Sequence, residues 1–277
     1  MIETIAIDDP DDPRIADYRD IRERDLVGRR DLFIAEGEVV LTTLLASARH
    51  RPLSLLLDRR RLPSLADRLD GLDPEVPVFT GSREVVERIA GFPLHRGILA
   101  LGRRGPALDP VALLAGLPSP ATVVVALGIA NHDNIGGLFR NAAAFGAGAV
   151  LIDAGCCDPF YRKAIRVSVG HVLTVPFARI ADGVDPLGLL DDAGFEVLAL
   201  TPRGGEPLAG LVRGARTAAL FGTEGPGLAA DLLARARRVT IEMAPGVDSL
   251  NVATCAGIVL HRLATTVARG GADRRLG

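Results

Sequence analysis

ANHDNIGGLFRNAAAFGAGAVLI, residues 130–152, changes character twice. Four of its first five side chains are polar or charged. A run of small residues with helical spacing follows, and AVLI closes it with the apolar continuity of a buried strand. The preceding TVVVALG, residues 122–128, is an unbroken apolar run, the mark of a strand buried on both faces. A helix between two such strands is a strand–helix–strand unit, which brings its strands together in parallel. Arg140 and the asparagines Asn134 and Asn141 stand out in this otherwise apolar helix, around and after a Gly-Gly pair.

The alternation continues downstream. DPFYRKAIRVS (158–168), PLGLLDDAG (186–194), DLLARARR (231–238) and SLNVATCAGIVLHRLATTVA (249–268) read as helices. VLTVPF (172–177), FEVLALT (195–201), TAALFG (217–222) and VTIEM (239–243) read as strands. Upstream the texture differs. Residues 1–105 are dense in charge, with 17 basic against 19 acidic side chains, so this part is close to neutral. Basic clusters lie at Arg22, Arg24, Arg29 and Arg30, and again at Arg59, Arg60 and Arg61. FIAEG reads as strand-like and is followed by an amphipathic helix, PLSLLLD, VPVFTG and GILALG read as strands, and SREVVERIAGF reads as a helix capped by Ser82. The expected organisation is an N-terminal α/β domain over residues 1–105, a Pro- and Gly-containing linker over 106–120, and an α/β domain with a mostly parallel sheet over 121–277.

The 277 residues are 48% hydrophobic and 24% charged, the composition of a globular chain with a real core. Lys163 is the only lysine, and the formal net charge is −2, which gives no global attraction to nucleic acid. The three cysteines, Cys156, Cys157 and Cys255, form neither a disulfide framework nor a metal-binding spacing. The acidic N-terminus lacks the apolar stretch of a signal peptide, and no apolar run reaches the ~20 residues of a membrane span. A reduced cytoplasm is the expected compartment.

In an open parallel sheet, the loops after the strands' carboxyl ends build the binding site. Three such loops carry unusual chemistry. In the first, Asn134 lies at the helix start, where a capping role is an equal alternative. Arg140 follows among apolar neighbours near a helix N-terminus, where the dipole favours anions, so an anionic partner such as phosphate is expected. In the second, FGTEGPGL (221–228), three glycines and a proline surround Glu224. A tight turn with a surface glutamate explains that pattern equally well. In the third, MAPGVDSLNVATCAGIVLH (243–261), Ser249 is a candidate helix cap and Asn251 stands beyond what a cap needs. The following helix is apolar all round, which calls for a subunit interface. No phosphate-binding GxxxxGK[ST], GxGxxG dinucleotide loop, nucleophile elbow or metal-ligand cluster is present, and His132 and His171 stand alone.

Together, NIGGLFRNAAAFGAGAVLI, LFGTEGPGL and IEMAPGVDSLNVATCAGIVL resemble, in order and spacing, the three motifs of the SpoU (TrmH-like) family of RNA ribose 2′-O-methyltransferases, within the SPOUT superfamily. The resemblance spans residues 121–268, and FIAEGEVVLTTLL with LHRGILAL is similar to the small RNA-binding domain that many members carry. It implies a trefoil-knotted methyltransferase domain, S-adenosylmethionine as cofactor, and a homodimer through the C-terminal domain. By position, the cofactor loops would be those around Thr201, Gly222, Ile241, Met243 and Leu250. Asn134, Arg140, Glu224, Ser249 and Asn251 match the polar motif positions expected to serve catalysis, with no metal. Arg140 is expected to bind substrate phosphate and stabilise charge on the 2′ oxygen, because arginine stays protonated in proteins. Asn134, Ser249 and Asn251 are expected to orient the ribose and the loops. Ribosomal RNA is the expected substrate, with transfer RNA, or an idle RNA-binding role, as alternatives.

Overall fold

A computed structural model describes residues 3–19, 26, 28, 30–91, 94 and 96–266. Arg22, Arg24, Arg29 and His95 of the sequence reading lie outside the described residues. The chain divides into two units: residues 1–106 with 158–174, and residues 107–157 with 175–277.

The first unit contains β1 (Ile5–Ala6), β2 (Leu32–Glu36), α1 (Glu38–Leu45), β3 (Arg51–Asp58), α2 (Leu62–Leu69), β4 (Val78–Gly81), α3 (Arg83–Ala90) and β5 (Ile98–Arg103). Its sheet runs β1-β4-β3-β5-β2, with β1, β4 and β3 parallel and β5 antiparallel to both its neighbours. Leu55, Leu56 and Leu57 are fully buried because β3 is covered on both faces. Helix α3 starts where expected: Ser82 Oγ accepts from Val85 N at 3.3 Å, and Gly91 ends it with φ +74°. Val86 and Ile89, three apart, turn the apolar face inward. The buried Tyr18 hydroxyl is satisfied by Ser54 Oγ at 2.7 Å and Leu101 N at 3.1 Å.

The second unit begins with α4 (Pro110–Ala115), a short helix inside the expected linker, capped by Asp109 Oδ1 accepting from Ala112 N at 2.8 Å. β6 (Ala121–Ala126), α5 (His132–Ala144) and β7 (Ala149–Ile152) are the strand–helix–strand unit of the opening sequence. The chain then contributes α6 (Arg162–Val167) to the first unit, against β2. It continues in the second unit with β8 (Phe177–Arg179), α7 (Pro186–Asp192), β9 (Glu196–Leu200), β10 (Glu206–Pro207), β11 (Arg216–Phe221), α8 (Ala230–Arg235), β12 (Arg237–Thr240) and α9 (Val252–Thr265). The sheet order is β10-β12-β9-β11-β6-β7-β8, and every pairing is parallel.

Val123, Val124 and Val125 of β6 and Ala218, Ala219 and Leu220 of β11 are fully buried at the sheet's centre. The two uninterrupted apolar runs therefore mark its middle strands. Three readings change, the first being the helix read over 231–238, which ends at Arg235 while Arg237 and Arg238 open β12. Residues 158–174 belong with the first unit, although the sequence assigns them to the 121–277 domain. VLTVPF is not a strand: His171–Leu173 is a 3₁₀ turn, and only Phe177–Arg179 pairs. Pro176 has no N–H to donate, so pairing with β7 begins after it, although its carbonyl accepts from Val150 N at 3.0 Å.

Candidate active site

The loops after β6 and β11 and the loop leading into α9 meet in one hydrogen-bonded chain. Asn134, in the first turn of α5, is 3% exposed. Its Nδ2 donates to Glu224 Oε1 at 2.5 Å, and its Oδ1 accepts from Asn251 Nδ2 at 2.8 Å. Asn251 Oδ1 then accepts from Ala253 N at 3.0 Å and Thr254 N at 3.2 Å, capping α9. An ionised carboxylate only accepts, so Asn134 must turn its amide nitrogen toward Glu224. That turns its oxygen toward Asn251, whose own oxygen is left for the helix. Each orientation follows from the one before it.

Both capping expectations move by a few residues. The cap of α5 is Asn131, whose Oδ1 accepts from Asp133 N at 2.8 Å, so Asn134 is released for the chain above. The cap of α9 is Asn251 and not Ser249, which is exposed. Asn and Ser cap with comparable strength, and where the chain turns decides which one serves.

Glycines let the loops close on one another. A Cβ at Gly222 would lie 2.5 Å from both Gly227 C and Leu228 N, so a side chain there displaces the GTEGPG backbone. Gly225 and Gly227 have φ of +92° and +74°, which L side chains rarely adopt. Thr223 Oγ1 donates to Gly227 O at 3.2 Å across the loop. On the other side, a Cβ at Gly137 would meet the Ala253 Cβ at 2.5 Å. Asn141 Nδ2 donates to Ala253 O at 2.6 Å in the same contact. Gly137, the second glycine of the pair, and the second asparagine of the opening stretch thus serve the close crossing of α5 and α9.

A cavity of about 290 Å³ opens at the carboxyl ends of β9, β11 and β12. Thr201, Gly222, Ile241, Met243 and Leu250 all line it, as do Glu224, Ser249 and Asn251. Asn134 stands behind Glu224 and Asn251 and does not line it. Arg140 is not brought to this group. It is exposed on α5 and has no hydrogen bond or ion pair among the described residues. Those neighbours pack inward; the arginine occupies the remaining face. Cys255, one turn after Asn251, also lines the cavity, and burial pushes its thiol up to about 11. The sequence reading set it aside because cysteine spacing alone indicated no role. Among the described residues, no group of His, Cys, Asp and Glu is placed to hold a metal.

The all-parallel sheet with a glycine-walled cavity at its carboxyl edge defines a ligand-binding α/β domain, and comparison with known proteins assigns its family. The SpoU rRNA Methylase family model matches residues 121–261. A protein of Mycobacterium tuberculosis (strain CDC 1551 / Oshkosh), described as an uncharacterized tRNA/rRNA methyltransferase, is 45% identical over 263 residues, covering 91% of this chain and 89% of that one. The AdoMet-bound rRNA methyltransferase from Sinorhizobium meliloti superposes with a TM-score of 0.79 at 21% identity, covering 94% of this chain and 97% of that one. An RNA 2′-O ribose methyltransferase superposes with a TM-score of 0.76 at 25% identity, covering 93% and 97%. The chain belongs to the SpoU rRNA methylase family.

Proposed function

We propose that this chain transfers a methyl group from S-adenosylmethionine to a ribose 2′-hydroxyl of ribosomal RNA. The observation that carries the reading is the Glu224–Asn134–Asn251 chain, which ties three motif loops around one cavity. The cavity fits the cofactor in kind. Ile241, Met243 and Leu250 offer apolar wall for a purine, while Thr201, Ser249, Glu224 and the glycine backbone offer polar partners. When bound, S-adenosylmethionine supplies an electrophilic methyl group on a positively charged sulfur.

The rest falls to the protein. Glu224 puts a carboxylate on the wall of a site that receives a cation. Ser249 presents an exposed hydroxyl that can orient the ribose. Asn134 is a positioning residue, since it touches Glu224 and Asn251 and does not reach the cavity. Arg140, exposed and outside the cavity lining, binds the RNA phosphate; to stabilise charge developing on the 2′ oxygen it must reach a cavity across the homodimer that this reading includes. Held by these residues, the cofactor would supply its methyl group to the 2′ oxygen, and the proton of that hydroxyl would leave to solvent. We include in this reading a knotted passage of the C-terminal segment and a homodimer through the second unit. Val247, Leu250 and Ile258, exposed by 46%, 37% and 40%, support such an interface. Among the described residues no helix is long and apolar enough to cross a membrane, and the cytoplasm is the compartment we assign.

Incubation with methyl-labelled S-adenosylmethionine and unmodified ribosomal or transfer RNA tests the substrate. Label in ribosomal RNA is expected. Label confined to transfer RNA moves the assignment to that substrate, and the mycobacterial relative's description names both.

A further inference from the structure

A second cavity, in the first unit, has a different chemistry. It measures about 490 Å³ and is lined by Glu38, Asp58, Arg60, Arg61, Arg83, Leu94, Arg96 and Gly97. The strand directions account for it. β2, β3 and β4 all end at this edge, and β5 begins there. The residues that follow or precede those ends, Glu38, Arg60, Arg83 and Arg96, are therefore brought together from four separate stretches of sequence.

The lining holds four guanidinium groups against two carboxylates. Both carboxylates are already engaged. Asp58 takes the fork of Arg60, with Nε to Oδ1 at 3.1 Å and Nη2 to Oδ2 at 2.8 Å. Glu38 lies between Arg61 at 2.8 Å and Arg68 at 3.0 Å. Arg83 is met by Glu87 at 2.9 Å on its own helix. These pairs fix the guanidinium groups while leaving them further N–H donors. Arg61 Nε is buried without a hydrogen-bond partner, so one such donor is already out of water and unmet.

Arg96 completes the set. It is exposed and has no ion pair among the described residues. Its stem passes over the start of α1: a Cβ at Gly37 would lie 3.5 Å from Arg96 Cδ. The first turn of α1 has no side-chain cap, because its cap residue is Gly37. Next to Arg96, Gly97 packs so closely that a Cβ would lie 2.7 Å from Asp58 Cβ. The backbone carrying Arg96 is thus held against the Asp58–Arg60 pair. An unpaired cation, an unmet buried donor and an uncapped helix start share one hollow, and all three are answered by an anion with several oxygens.

We propose that this hollow seats a phosphodiester of the RNA substrate, bound by Arg96 with Arg60 and Arg61 beside it. The inference rests on the RNA reading above, and it supplies what the near-neutral net charge leaves unexplained, a local cationic site. Phosphate contacts position a protein on RNA without reading its sequence.

The test measures binding of wild-type protein, Arg96→Glu and Arg103→Glu to transcribed ribosomal RNA over a range of salt concentrations, with inorganic phosphate as competitor. Arg103 is exposed at the other end of β5 and serves as the control charge. Arg96→Glu is expected to weaken binding about tenfold and to flatten the salt dependence by about one ion, while Arg103→Glu changes little. S-adenosylmethionine binding, read by calorimetry on the same samples, is expected to be equal in all three proteins. Equal loss in both variants means a diffuse field and overturns the site. RNA binding by Arg96→Glu as tight as wild type overturns it while leaving the methyltransferase reading intact. Wild-type protein that binds S-adenosylmethionine and phosphate but no RNA assigns the hollow to a free anion and removes both RNA readings.

Discussion

Asn134 Oδ1 accepts a hydrogen bond from Asn251 Nδ2 at 2.8 Å, joining residues 117 positions apart in the chain. Asn251 uses its other amide atom to cap α9, and Asn134 uses its own to hold Glu224. The polar wall of the cavity is therefore one connected piece. Asn134→Ala leaves a carboxylate and an amide donor without their partner. We expect a loss of about 1–3 kcal/mol in stability by chemical denaturation. In a double-mutant cycle with Asn251→Ala, the coupling is expected at about 0.5–3 kcal/mol, and additive losses would mean the contact carries nothing.

Asn251 does two things that one substitution separates. Asn251→Asp keeps an oxygen for the cap but loses the donor to Asn134. The cap should persist in Asn251→Asp, at a cost of about 0.5–3 kcal/mol for the lost contact, whereas Asn251→Ala also removes the cap and costs about 1 kcal/mol more. Both are expected to lower methyl transfer. A variant Asn251→Asp with full activity would show that only the cap matters.

At Gly222 no side chain fits, so Gly222→Ala must move the loop that carries Glu224. Calorimetry is expected to show S-adenosylmethionine affinity reduced at least tenfold, with far-ultraviolet circular dichroism unchanged. Gly137→Ala should act on stability instead: its methyl group meets Ala253, and overpacking at such a helix crossing costs about 1–3 kcal/mol.

His50 gives the first unit a pH dependence. It is 3% exposed, packed edge-on against Phe33 and Phe160, and its Nδ1 accepts from Gly105 N at 3.1 Å. Burial, with Arg49 nearby, holds its pKa down at about 4. The folded value lies below the unfolded one, so the unfolded chain takes up the proton first as pH falls. The stability contributed by neutral His50 is present above pH ~6.5 and is lost toward pH 4, by about 3 kcal/mol. His50→Asn, which keeps an acceptor without titrating, should flatten that part of the denaturation profile relative to wild type. An unchanged profile would contradict the assignment.

The sheet of the second unit was legible because β6 and β11 are continuous apolar runs, a pattern produced by burial on both faces. The three loops were legible because Gly, Asn and Glu stand out against such runs. What escaped the reading depends on geometry that a one-dimensional pattern does not carry. Asn131 and Asn134 are both able to cap α5, and only the course of the chain selects Asn131. Arg140 sits among apolar residues in sequence, but helical rotation turns it outward while Leu138 and Phe139 turn in. The pairing of Pro176 is decided by one missing N–H. The arginine-lined hollow draws on four stretches that only the strand order brings together.

The central claim is ribose methylation with Arg140 serving the RNA. Its most direct test is the nucleoside analysis of RNA methylated with labelled S-adenosylmethionine by wild-type protein and by Arg140→Ala. Because Arg140 is exposed and unpaired, the variant should fold within about 0.5 kcal/mol of wild type and bind the cofactor equally. The account predicts labelled 2′-O-methylnucleoside from wild type and a loss of about a hundredfold or more in Arg140→Ala. Label on a base, or transfer by Arg140→Ala at the wild-type rate, would contradict it.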